Sequence, residues 1–177
     1  MKGLVLYSSR TGRTRKLARG LYENLKGWDV DIQDIKDKPN IEAYDTIFLG
    51  FWAYKATIDP SVEKILDQLK GKDVYVFGTL AYYDDSDHAY RVRTNAIQAV
   101  EDHGARCIGS FITMGGLDQA RVEAKKQAKK PLKHPLTKAS LMRYDLTKDY
   151  PTDVDIAYLA EKVNLKLKIM EESGGDL

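Results

Sequence analysis

The run Val-Leu-Tyr-Ser-Ser-Arg-Thr-Gly-Arg-Thr-Arg-Lys-Leu-Ala-Arg-Gly-Leu over residues 5–21 constrains this chain more than any other stretch. Its apolar opening, Leu4 to Tyr7, has the character of a short strand buried on both faces. Ser8, Ser9, Thr11 and Thr14 then cluster around Gly12. From about Thr14 the apolar residues Leu17, Ala18 and Leu21 recur at the spacing of a core-facing helix stripe. Strand, hydroxyl-rich turn and helix together make an anion site. A helix N-terminus leaves N–H groups unpaired and carries partial positive charge. The hydroxyls add donors, and glycine lets the backbone close around the anion. A plain helix cap needs only one such hydroxyl. The G-x-x-x-x-G-K-[ST] and G-x-G-x-x-G patterns are both absent, which removes the triphosphate and dinucleotide fingerprints.

Downstream, the pattern alternates strand and helix. Strands are predicted over residues 28–33, 45–51, 73–79 and 106–113. A helix is predicted from Pro60, with Val62, Ile65, Leu66 and Leu69 inward, and another over 86–104. Thr152 and Asp155 mark a near capping box for a last helix whose stripe is Ile156, Leu159, Ala160, Val163, Leu167 and Met170. Residues 117–150 resist assignment. Such alternation implies a parallel sheet covered on both faces, and 177 residues suit a single domain over 1–177. The longest apolar run, 47–54, is far below the roughly 18 residues of a membrane helix. No secretory leader is apparent, so a cytoplasmic location is expected. Cys107 is alone, which removes internal disulfides and cysteine-built metal sites, and His88, His103 and His134 are too scattered for metal ligation. Residues 121–138 hold Arg121, Lys125, Lys126, Lys129, Lys130, Lys133 and Lys138 against Glu123 alone, in a chain whose total charge is +2. That segment reads either as a docking patch for an acidic partner or as a solvated face. Nucleic acid is not expected, because no aromatic residues interleave with the lysines.

The motif Ser9-Arg10-Thr11-Gly12-Arg13-Thr14 resembles the [ST]-x-T-G-x-T loop with which flavodoxins hold the phosphate of flavin mononucleotide (FMN). Arg10, Arg13 and Arg15 make it more basic than a typical flavodoxin loop. The resemblance implies an α/β, flavodoxin-like three-layer sandwich, with a five-stranded parallel sheet of order 2-1-3-4-5 and helices on both faces. Its ligand would lie at the switch point between the first and third strands. Two aromatic loops fall where such a ligand needs walls: Gly50-Phe-Trp-Ala-Tyr-Lys-Ala-Thr57 and Phe77-Gly-Thr-Leu-Ala-Tyr-Tyr-Asp-Asp-Ser-Asp-His-Ala89. Both are similar to loops of stand-alone flavodoxin-like proteins. Ala56 and Ala81 stand where that family tends to have glycine, and alanine tolerates positive φ poorly.

The resemblance implies FMN as cofactor. Ser9, Thr11, Gly12 and Thr14 would take the phosphate, with Arg10 or Arg13 adding charge. Trp52 and Tyr83, or Tyr82, would flank the ring, whereas Tyr54 can equally cover the sheet edge. Backbone groups of Ala53, Tyr54, Lys55 and Ala56, and of Thr79, Leu80 and Ala81, would meet the polar edge of the ring, with Lys55 the nearest charge. The expected function is electron transfer to or from a redox partner protein. The alternatives are direct oxidoreductase action on a small planar substrate, such as a quinone or tetrapyrrole, and flavin-free binding of a phosphate or nucleotide. No catalytic residue is identifiable.

Overall fold

The computed structural model describes residues 2–25, 27–117, 119–128 and 136–175. Five parallel strands form one sheet in the order β2-β1-β3-β4-β5, as expected. They are β1 (Gly3–Tyr7), β2 (Val30–Asp34), β3 (Thr46–Trp52), β4 (Asp73–Leu80) and β5 (Arg106–Met114). The helices are α1 (Arg13–Glu23), α2 (Pro60–Glu63), α3 (Asp87–Asp102), α4 (Gln119–Lys126), α5 (Lys138–Leu146) and α6 (Asp153–Glu172). No helix among the described residues is long and apolar enough to cross a membrane.

The sheet is apolar on both faces because helices cover both. Alternate residues of each strand point to opposite sides. One face packs Leu4, Leu6, Leu49, Val74 and Val76 with the inward residues of α2 and α3. The other packs Val5, Phe48, Tyr75 and Phe77 with Leu17, Ala18 and Leu21 of α1 and Leu159, Val163 and Leu167 of α6. At Gly20 the two helices meet so closely that a Cβ would lie 2.5 Å from Ile156 Cγ2. Hence α6 fixes α1, and α1 carries the hydroxyl-rich turn.

Both predicted long helices are present. Ser86 caps α3 by accepting the Ala89 N–H, and Thr152 and Asp155 form the reciprocal capping box of α6. The helix predicted from Pro60 is broken. It runs one turn to Glu63, and a separate 3₁₀ turn then covers Leu66–Leu69, while Val62, Leu66 and Leu69 keep their inward positions. Ile65, at the break, has φ −113 and ψ 1, outside the helical basin. The unassigned segment contains α4 and α5. Lys129, Lys130, Lys133 and His134 lie outside the described residues.

Gly20→Ala should lower the melting temperature, since overpacking costs about 1–3 kcal/mol. In an Ile156→Ala background the same change should become stabilising, because alanine is the better helix former by about 1 kcal/mol. Thermal denaturation of the four variants checks this reversal of sign.

Candidate functional site

The turn between β1 and α1 sits at the C-terminal edge of the sheet, at the point where the strand order reverses. Gly12 occupies the N-cap of α1 with φ +86, a conformation glycine takes without steric cost. Ser9 Oγ accepts the N–H groups of Gly12 (3.1 Å) and Arg15 (3.2 Å), so this hydroxyl closes the turn. Thr11 is exposed on the loop. Thr14 is buried, with its hydroxyl 3.0 Å from Thr79 Oγ1 and 3.4 Å from the Phe51 carbonyl. It therefore ties α1 to the ends of β3 and β4. A groove of about 970 Å³ opens over the turn, lined by Ser9, Thr11, Gly12 and the basic side chains of Arg10, Arg13, Arg15 and Lys36.

A second cleft of about 570 Å³ adjoins this groove and shares Arg10, Thr11 and Arg13 with it. Trp52 and Ala53 form one part of its lining, and Thr79, Leu80 and Ala81 another. Its remaining lining is Gly115, Gly116 and Leu117 after β5, with Arg121 of α4. Backbone bonds knit these strand ends together. The Ala53 N–H donates to Thr79 O at 2.9 Å, and the Gly115 N–H to Leu80 O at 2.8 Å. The Arg10 guanidinium lies 5.6 Å from the centre of the Trp52 ring. Residues 115–117 did not emerge from sequence reasoning, and Arg121 emerged only as part of the basic segment 121–138. The Gly115-Gly116 pair directly after a strand was the available signal. A Cβ on Gly116 would lie 2.6 Å from the Thr147 carbonyl oxygen, so the backbone there runs against the turn that follows α5.

The remaining predicted site residues gather beside the cleft without lining it. Tyr54 and Thr57 exchange both backbone hydrogen bonds (2.9 and 3.0 Å) around a two-residue turn. Its central residues Lys55 and Ala56 have φ +48 and +64, as a type I′ turn requires. Ala56 therefore takes the glycine-like conformation despite its Cβ, and the Asn95 amide of α3 holds its carbonyl at 2.8 Å. Lys55 is exposed, with Nζ 5.3 Å from the Tyr54 ring centre. Ala81 is not among the positive-φ residues, so no such strain arises there. Tyr82 and Tyr83 pack edge to face, and Arg143 of α5 lies 4.6 and 5.4 Å from their ring centres. His88 meets the edge of Tyr82 at 6.0 Å, and His103 Nδ1 lies 2.7 Å from the Ala99 carbonyl.

One group that the motifs did not flag anchors the whole edge. The Asp59 carboxylate is fully buried, and its Oδ1 accepts from Ser8 Oγ and from the Ser61 N–H, both at 2.9 Å. Its Oδ2 lies 3.4 Å from the Trp52 N–H. A single side chain thus joins the end of β1, the end of β3 and the cap of α2. Burial pushes its carboxyl above the ordinary aspartate pKa, and the hydrogen bonds from Ser8 and the backbone pull the other way.

The chain matches a family model described as a flavodoxin domain over residues 4–164. It is 25% identical, over 178 aligned positions, to the flavodoxin-like domain-containing protein BilS of Clostridioides difficile, covering 96% of this chain and 100% of that protein. Against a flavodoxin of Haemophilus influenzae the identity is 31% over 121 residues, 63% of this chain and 68% of that one. A flavoprotein of Lactobacillus acidophilus, solved in complex with FMN, superposes with a TM-score of 0.50 at 18% identity, covering 69% of this chain and 96% of its own. That last likeness is one of fold.

Two outcomes follow from the hairpin and the buried acid. Lys55→Asn with Ala56→Gly should relieve the left-handed strain, which costs roughly 1–2 kcal/mol per residue. After the extra unfolded-state entropy of glycine is subtracted, about 1 kcal/mol should remain, or ~2–4 °C in a thermal melt. Because the folded state raises the Asp59 pKa, the folded protein binds that proton more tightly than the unfolded chain. The stability contributed by this group is therefore full below the unfolded value and lost as pH rises through the folded one. Relative to Asp59→Asn, the wild type should gain in melting temperature as pH falls from about 7 to about 4. A difference that is flat or of opposite slope would refute this account of Asp59.

Proposed function

The chain belongs to the flavodoxin domain family, and from that premise we propose that it binds FMN and passes electrons to and from a partner through the bound flavin. The observation that carries this reading is the continuity of two spaces at the switch point. A donor-rich groove for a phosphate, with Asp34 among its lining residues, opens into a cleft with one indole and three strand ends in its lining. The donor set suits a phosphate monoester. The Arg13 and Thr14 N–H groups of α1, which Ser9 leaves free, the exposed Thr11 hydroxyl and the guanidinium groups of Arg10 and Arg13 are all donors. Flavin, when bound, supplies the redox chemistry.

The tasks of the protein's own residues are binding and exclusion. Ser9 shapes the turn by closing it from within, so its role toward the phosphate is geometric. Thr14 acts at a remove, because its hydroxyl is held between Thr79 and the Phe51 carbonyl. Arg10 supplies charge from a position over Trp52, and it must shift if a planar ring is to occupy that indole face. Gly115 and Gly116 let the backbone of the far wall pack directly against Thr79 and the turn after α5, where a Cβ would collide.

Thr11→Ala should weaken FMN binding about fivefold, the loss of one hydrogen bond worth about 1 kcal/mol, and leave riboflavin binding nearly unchanged. Thr14→Ala should act chiefly on stability. Flavin fluorescence quenching separates the two ligands. Equal losses for both upon Thr11→Ala, or no quenching of FMN by the wild-type protein, would reject the assignment.

A further inference from the structure

We propose that the mouth of this groove is a docking surface for an acidic protein partner, an inference that rests on the FMN reading. Five cations line the two adjoining spaces: Arg10, Arg13 and Arg15 of the turn and α1, Lys36 after β2, and Arg121 of α4. Among the described residues, Asp34 is the one carboxylate in either lining. Among the described residues none of the five makes an ion pair. Arg10, Arg15, Lys36 and Arg121 are exposed.

The basic helix itself contributes less. Lys126 is paired with Glu123 at 2.7 Å, and Lys125 Nζ lies 5.9 Å from the Tyr144 ring centre. Among the described residues of the 121–138 segment, Arg121 is the cation that lines the groove mouth.

FMN does not exhaust this charge. A phosphate monoester carries about −1.5 to −2 at pH 7, so five cations against one carboxylate leave a surplus of about +2. The surplus comes from the phosphate turn, the segment after β2 and α4, elements that surround one opening. A second small anion reaches one or two such groups at a time. A protein surface burying about 800 Å² per partner spans them all. Charge arranged in this way steers encounter toward the opening through which a flavin would be reached.

The test uses the FMN-loaded full chain with a plant-type [2Fe–2S] ferredoxin as the acidic probe and mitochondrial cytochrome c as the basic control. Binding is measured by titration calorimetry at about 20 mM and about 300 mM NaCl, where screening separates surface electrostatics from other contacts. Ferredoxin should bind at low salt and be released at high salt, and cytochrome c should not bind. The triple variant Arg15→Gln/Lys36→Gln/Arg121→Gln should bind ferredoxin at least about tenfold more weakly, roughly 1.4 kcal/mol, with flavin content checked by absorbance. Lys125→Gln/Lys126→Gln should change it less than about twofold, within 0.4 kcal/mol. The docking surface is overturned if the triple variant binds like the wild type, if cytochrome c binds as well, or if loading with FMN abolishes ferredoxin binding. The last result would assign the charges wholly to the phosphate. A chain that takes up no FMN defeats the proposed function itself, whereas FMN uptake without ferredoxin binding defeats the docking surface alone.

Discussion

Everything at the candidate site depends on β1 lying between two parallel neighbours, β2 on one side and β3 on the other. Crossovers from a parallel strand are right-handed, so the connections leaving β1 and β3 must diverge over opposite faces of the sheet. The divergence leaves a crevice that no side chain needs to carve. Such a crevice would splay apart unless its two lips were joined. Asp59 joins them, taking the Ser8 hydroxyl from one lip and approaching the Trp52 N–H of the other. The cost of burying a carboxylate there is offset in part by the two 2.9 Å hydrogen bonds to its Oδ1.

The same logic explains the division of labour among hydroxyls in the β1–α1 turn. Four were visible in the sequence as one cluster, but the fold separates them by depth. Ser8 and Thr14 are buried and serve the sheet, Ser9 closes the turn, and Thr11 alone is exposed. A ligand at this turn meets one hydroxyl, a helix terminus and several arginines. That makes charge, rather than a ring of neutral donors, the dominant local character.

The strands and the two capped long helices were legible because each rests on local signals of known periodicity, whereas the strand order and the location of the crevice came with the resemblance to flavodoxins. Buried apolar runs, a Ser cap at 86 and the Thr152–Asp155 box are all short-range features. What stayed hidden depends on contacts across the chain. Asp59 belongs to no motif, and nothing near it in sequence reveals its bond to Ser8 fifty-one residues away. Tyr82 and Tyr83 carry the right chemistry for a ring wall, yet Arg143 of α5 packs against both, and that helix lies in the stretch no pattern assigned. Gly115 and Gly116 stand just before the unassigned stretch, and only the packing against Thr79 and the Thr147 carbonyl shows why a side chain is refused there.

The attachment of the segment after α5 has a consequence for how this protein can diverge. Lys16 of α1 donates to the Asp149 and Pro151 carbonyls, the Gly116 N–H to the Tyr150 carbonyl, and a Cβ at 116 would collide with the Thr147 and Lys148 carbonyls. These contacts are all made by the main chain of the turn. A change of side chain there leaves them in place, while a gain or loss of one residue would shift every carbonyl against α1 and the cleft wall. In descendants of this sequence the turn should be recognisable by its length and by a lysine and a glycine elsewhere, long after its own residues have ceased to align.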